Sequence, residues 1–279
     1  MVRPNILTLT SLLLGLLPST TAQAQACQWG SLRQMTDTFI ESLTYGELDP
    51  SLELSSISYR ENDKPFAIGS PSSILSKGPL QVDFTHTIID QPSCASFTKL
   101  VVTDPKTGPY VIATQLFYNA TSDAELTTNV VDVVVTTKGD YQFDASQTLE
   151  HVMSEDWAAL DRDQLDDREV LQGVADAYLD LWSGGSLSAV PFGRPCSKLE
   201  GSRYTADSCT AGLNLPSGDG GMMAGRTPNT NRRYVIDQSV GAVSVFCSFG
   251  SLGGAPDSHE FRVLGGKLVY VHQIVAAAA

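Results

Sequence analysis

Two of the four histidines, His259 and His272, flank a Gly265-Gly266 pair inside an alternating apolar stretch that ends at Val275. Two glycines between such runs mark a two-residue β-hairpin loop, and that loop fixes the pairing of every residue outward from it. Leu264 then pairs with Lys267, Val263 with Leu268, Phe261 with Tyr270 and His259 with His272. Opposed Cβ atoms stand about 5 Å apart, so one sheet face is predicted to carry both imidazoles beside Phe261 and Tyr270. A neutral imidazole in such a setting works as a general acid or base near neutral pH. A hydrogen-bonded histidine pair without catalytic duty is the competing reading. The pair offers no third metal ligand, so no metal is expected.

Other candidates surround this pair. A turn at Lys138-Gly139 predicts a hairpin over 130–143, with Asp132, Val134, Thr136, Tyr141 and Phe143 on one face. A carboxylate among such neighbours must be hydrogen-bonded, neutralised or functional. Arg233, in Arg232-Arg233 before Tyr234, and Asp237 could orient an oxygen-rich ligand or form surface ion pairs. His86 alternates with apolar neighbours and either reaches a ligand cavity or stands exposed.

The elements that must hold these groups repeat. Leu32, Met35, Phe39 and Leu43 recur at helical spacing and stop at Gly46; Val170, Val174, Tyr178, Leu181 and Trp182 repeat the pattern before Gly184-Gly185. Phe39 with Tyr178 and Gly46 with Gly185 are both 139 residues apart. β-rich sequence follows each helix: 80–90, 97–104, 110–119 and 130–143, then 234–237, 241–249 and 259–275. The expected class is α+β, a tandem of two units in which one helix packs on an antiparallel sheet and leaves a ligand cavity. The first unit spans 27–160 and the second 161–279, joined through the acid-rich segment 155–169. The Gly-, Pro- and Asn-rich stretch 211–231 is long enough to be a lid or simply mobile.

Composition excludes several classes. The chain has 279 residues, 42% of them apolar, and a net charge of −13 without a Lys/Arg cluster, so nucleic acid is not an expected partner. Residues 1–26 combine Arg3, an apolar stretch from Ile6 to Leu17 and small residues up to Ala26, which predicts a signal peptide and entry into the secretory pathway. No later apolar run is long enough to span a membrane. In an oxidising compartment the five cysteines read as disulfides with one thiol left over. Their positions favour Cys27 with Cys94 and Cys196 with Cys209, leaving Cys247 free in a strand. Asn119-Ala120-Thr121 is a glycosylation acceptor, and sequence does not decide the oligomeric state.

There is no Gly-x-Ser-x-Gly, His-Glu-x-x-His, Cys-x-x-Cys or P-loop, and no cofactor is expected. The segments 94–105, Ala-Asp-Ala-Tyr-Leu-Asp-Leu at 175–181, Asn-Arg-Arg-Tyr-Val-Ile-Asp at 231–237 and Asp-Ser-His-Glu-Phe-Arg-Val at 257–263 resemble a fungal family of secreted tandem SnoaL-like (nuclear-transport-factor-2-like) proteins. Within it the chain is similar to hetero-Diels-Alderases of tropolone-sesquiterpenoid (xenovulene-type) biosynthesis. It departs from that pattern where Asp-His-Asn-Arg-Ser-Ile is replaced by Asp83-Phe84-Thr85-His86-Thr87-Ile88. Asp132, Arg233, Asp237, His259 and His272 fit it. The resemblance implies dehydration of a hydroxymethyl tropolone to a quinone methide and its addition to a humulene-type sesquiterpene; joined to the residue readings above, it makes His259, His272 and Asp132 the expected catalytic groups and Phe261, Tyr270, Arg233, Asp237 and His86 the expected substrate lining. A secreted carrier of a small apolar or aromatic ligand, and an isomerase or cyclase acting on a polyketide, are the alternatives.

Overall fold

The computed structural model describes residues 26–52, 57–121, 123, 125–211, 213 and 227–277. The predicted leader, apart from Ala26, and most of the 211–231 stretch lie outside the described residues. The architecture is α+β, with two six-stranded mixed sheets. The first sheet contains β1 (Ser58–Glu61), β2 (Lys64–Phe66), β3 (Phe84–Asp90), β4 (Ala95–Val102), β5 (Tyr110–Ala120) and β6 (Leu126–Thr136), in the order β2-β1-β6-β5-β4-β3. The second contains β7 (Phe192–Glu200), β8 (Arg203–Thr205), β9 (Thr230–Asp237), β10 (Ala242–Phe249), β11 (Ala255–Leu264) and β12 (Lys267–Val275), in the order β8-β7-β12-β11-β10-β9. The orders are the same, and in each sheet the first strand runs parallel to the last while the other pairings are antiparallel.

Helix α1 (Trp29–Tyr45) turns Leu32, Phe39 and Leu43 onto the first sheet. It ends at Gly46, whose left-handed φ of 73° and close approach to Gly78 leave no room for a Cβ. Helix α3 (Arg168–Leu179) buries Leu171, Val174, Ala175 and Tyr178 against the second sheet. A short 3-10 turn extends it to Gly184, one residue before the glycine aligned in the sequence, and Val170 faces solvent. The opposite faces of the two sheets meet each other. Ile88, Phe97, Val101 and Val134 from the first pack with Val235, Ala242, Phe246 and Ile274 from the second, and Phe97 and Phe246 stand edge to face at 6.3 Å. Covered on both faces, β4 is buried along its whole length, its polar Ser96, Thr98 and Lys99 included.

Two expectations fail here. The Lys138-Gly139 hairpin does not form: β6 stops at Thr136, its antiparallel partner is β5, and Tyr141 and Phe143 lie in an irregular segment. Asp140 captures the Thr137 N–H, and Asp144 accepts from Gln147 N to cap an unforeseen helix, α2 (Ala145–Val152). The second concerns the last hairpin. Gly265 and Gly266 both have positive φ, and Leu264 pairs with Lys267 and Val263 with Leu268 as expected. Val269 is then an extra residue, so beyond it Arg262 pairs with Tyr270, Phe261 with Val271, Glu260 with His272 and His259 with Gln273. A bulge of one residue turns every later side chain to the other face.

Both expected disulfides are present, Cys27–Cys94 and Cys196–Cys209, and Cys247 is free and buried. They fit an oxidising compartment. Asn119 is exposed near the end of β5. Among the described residues no helix is long and apolar enough to cross a membrane.

Candidate functional site

The bulge at Val269 separates the two histidines expected to face one another. His259 points to the helix side of the second sheet, within rings of Tyr178, Trp182, Phe249 and Phe261, and stacks on Phe261 at 5.5 Å. His272 and Tyr270 point into the seam between the sheets. The predicted His259–His272 pair and the predicted Phe261–Tyr270 pair therefore do not exist, and Phe261 belongs to the helix-side core.

The seam gathers a group of ionisable side chains instead. Lys99 on β4 donates to Glu260 Oε2, and His86 Nε2 on β3 lies 3.2 Å from Glu260 Oε1. Lys99 Nζ is also 2.6 Å from His272 Nδ1, so only one of these nitrogens can carry the proton on the line between them. His272 Nε2 lies 2.7 Å from Glu155 Oε2, which in turn accepts from Trp157 Nε1 at 3.0 Å. Lys99, Glu260, Glu155 and His272 have side chains no more than 4% exposed, whereas that of His86 is 15% exposed.

Trp157 lies over this group, its ring 4.7 Å from His86, 5.7 Å from Tyr270 and 5.5 Å from His272. Arg262 holds the covering segment by stacking on Trp157 and donating to Ala158 O. Burial disfavours the His272 cation, but the Glu155 carboxylate outweighs it and raises its pKa. Burial also opposes ionisation of Glu260 and Glu155, yet Lys99 and His86 draw Glu260 well below the usual carboxylate range, and His272 lowers Glu155.

The other candidates fall into a second seam cluster. Asp132, buried on β6, receives Arg60 Nη2 at 2.8 Å and has Arg233 Nε at 2.6 Å. Burial lifts the Asp132 pKa, and the two arginines only partly offset it. Gln115 Nε2 donates to Arg233 O and Ser244 Oγ. Arg60, Arg232 and Arg233 line an open pocket of about 560 Å³ with Asp63, Asn231 and Ser248. Asp237 is absorbed by a clip between sheet edges: it accepts from Ile89 N, while Asp90 reciprocally accepts from Ile236 N and receives Arg168 in a two-pronged pair.

The registers make the two clusters counterparts. Matching β3–β6 with β9–β12 strand by strand sets His86 against Arg233, Lys99 against Phe246, Gln115 against Glu260 and Asp132 against His272. One cluster thus combines β3 and β4 with β11 and β12, and the other β9 and β10 with β5 and β6.

Residues 164–275 match a family model described as a domain of unknown function, DUF8021. The match spans less than half of the chain. It includes Glu260 and His272 but stops short of His86, Lys99, Glu155 and Trp157. No curated protein matches the chain.

Sequence reasoning missed Lys99, Glu155, Trp157 and Glu260. Lys99 and Glu260 are ionised residues inside strands otherwise fit for burial on both faces, and such residues need a partner across a seam. Trp157 was visible as the one aromatic ring interrupting the acidic segment.

Proposed function

We propose that the protein is a cofactor-independent acid–base enzyme for a small hydroxylated aromatic substrate, with the end of the seam under Trp157 as its working site. The observation that carries this reading is the continuous series of ionisable groups His86, Glu260, Lys99, His272 and Glu155, with partly exposed His86 at one end under an indole ring. Glu260 and Glu155 face Lys99, His272 and His86, so a proton can move within the group at little electrostatic cost. Trp157 and Tyr270 offer flat apolar surfaces for an aromatic ring.

The resemblance gives the reading its concrete form: tandem nuclear-transport-factor-2-like units acting on a hydroxymethyl tropolone. His86 protonates the leaving hydroxyl, the enol proton departs to a carboxylate, and loss of water leaves the quinone methide. Cycloaddition with a humulene-type alkene then forms one C–C and one C–O bond. Holding two reactants in line removes on the order of 7 kcal/mol or more of barrier. His259, confined to the helix-side core, takes no part, and His272 acts only through its neighbours.

A carrier is the second reading, favoured by the partner of opposite charge that each ionisable member already has within the group. Incubation with a hydroxymethyl tropolone and a humulene-type alcohol separates the two, with product stereochemistry followed by mass spectrometry and chiral chromatography. Faster formation of one stereoisomer, abolished by His86→Ala and weakened by Trp157→Ala, supports the enzyme. A racemic background rate with quenching of Trp157 fluorescence supports the carrier, and neither signal overturns both. A single-substrate isomerase or cyclase would instead rearrange a polyketide test substrate under the same conditions.

A further inference from the structure

On the helix side of the second sheet, four polar side chains form a patch inside an apolar core. Cys247 on β10 pairs directly with Asp257 on β11, and His259 lies two residues along from Asp257, opposite Gln273 on β12. One ligating atom from each of Cys247, Asp257 and His259 lies within 4.8 Å of the others, and all three residues are fully buried. Cys247 Sγ is 3.7 Å and His259 Nδ1 is 3.1 Å from Asp257 Oδ2. A tetrahedral metal with bonds of about 2.0 to 2.3 Å sets its ligand atoms roughly 3.3 to 3.6 Å apart, so these separations are close to the edges of such a site.

The hydrogen bonding is incomplete in a way that points to a ligand. Neither ring nitrogen of His259 has a hydrogen-bond partner among the described residues, its Nδ1 contact with Asp257 being misaligned, and Asp257 Oδ1 is also unpartnered. Gln273 Nε2 donates to Asp257 Oδ2 at 3.1 Å, the outer contact that orients a ligating carboxylate. The seam network contributes none of these atoms.

We propose that Cys247, Asp257 and His259 bind one borderline-soft divalent cation, of which zinc is the type. The mixed sulfur, nitrogen and oxygen donor set selects against magnesium and calcium. Complete burial makes the role structural: the ion joins β10 to β11 beneath α3.

The test is the metal content of the mature protein secreted into zinc-supplemented medium, followed by exchange of zinc for cobalt. The expected result is one zinc per chain and, with cobalt, a thiolate-to-metal charge-transfer band in the near ultraviolet. Cys247→Ser and His259→Gln should each abolish the band. Gln273→Ala, which keeps all three donors, should weaken affinity by about 10- to 100-fold. His272→Gln in the seam should leave stoichiometry unchanged. Folded protein without metal and without the cobalt band overturns the proposal, as does a band that persists in both ligand variants. Should the ligand variants fail to fold, the graded loss in Gln273→Ala still decides the matter, and unchanged affinity there also counts against the site.

Discussion

Replacing Glu260 with Gln keeps the shape of the side chain and removes one charge from the seam. Glu260 is fully buried and faces Lys99, His86 and His272, so its loss leaves the Lys99 ammonium without its carboxylate in a site that water does not reach. Breaking a buried pair from one side costs about 3 to 5 kcal/mol. With about 2 to 4 °C of melting temperature per kcal/mol in a chain of this size, the melt should fall by roughly 6 to 20 °C. The companion variant Glu260→Gln/Lys99→Met removes both charges and should recover most of that loss, because an apolar replacement of both partners restores balance. Calorimetry of the disulfide-intact mature protein reads both values. Raising the salt to about 1 M should change the difference little, since buried pairs are weakly screened. A Glu260→Gln melt within 3 °C of the parent, or a double variant no better than the single one, would refute the assignment of Lys99 and Glu260 as a buried charge pair.

Other outcomes follow from the same contacts. Burial works against a charged His272 but Glu155 prevails and raises its pKa, so its contribution is complete below about pH 6.5 and fades as pH rises through the raised value; the lowered Glu155 and Glu260 contribute above about pH 4.3 and fade as pH falls through their own values. The melting difference between parent and His272→Leu should therefore peak between about pH 5 and 6.5 and shrink on both sides, and a flat difference from pH 4 to 9 would count against it. Asp237→Ala leaves Ile89 N–H unpaired and should cost about 1 to 3 kcal/mol by urea unfolding. Asp90→Ala also strands Arg168 and should cost more; the reverse order would be wrong for this clip. Removing Cys27–Cys94, which closes 67 residues, should cost about 4 kcal/mol against about 3 for Cys196–Cys209, which closes 13, and equal melting shifts would speak against loop entropy as the main contribution.

Local patterning made the two long helices and the strands β3, β4, β5, β10 and β11 legible, because apolar period and turn residues agree there. Both disulfides were legible too, since Cys27 and Cys94 stand at a terminus and a turn and Cys196 and Cys209 bracket a Gly/Ser/Tyr-rich loop, while Cys247 stands within an apolar run. What stayed hidden depends on tertiary context. Nothing local in Leu268-Val269-Tyr270 marks a bulge, yet that one residue decides which face His272 and Tyr270 occupy. The strands β1, β2 and β8, three or four residues long, are too brief for periodicity, and in β7 Gly193, Arg194 and Pro195 break the apolar alternation; these strands exist by pairing with each other and with β6 or β12. The seam cluster draws on strands far apart in sequence. Lys99 and Glu260 are separated by 161 residues, and no spacing rule reaches that far.

Gathering strands from both sheets at each cluster breaks the symmetry that two identical halves would have. If a single half were to assemble with a copy of itself, each position would appear twice, and a histidine favourable on one side would be forced on the other. In the covalent tandem, His86 has Arg233 as its counterpart, and His272 has Asp132. One pole is a histidine–lysine–glutamate chain, while the other is a buried aspartate held by arginines that line an open pocket. Joining the halves in one chain thus frees each pole from the symmetry that two identical halves would impose, and a chain of two matching sheets keeps only one of each centre.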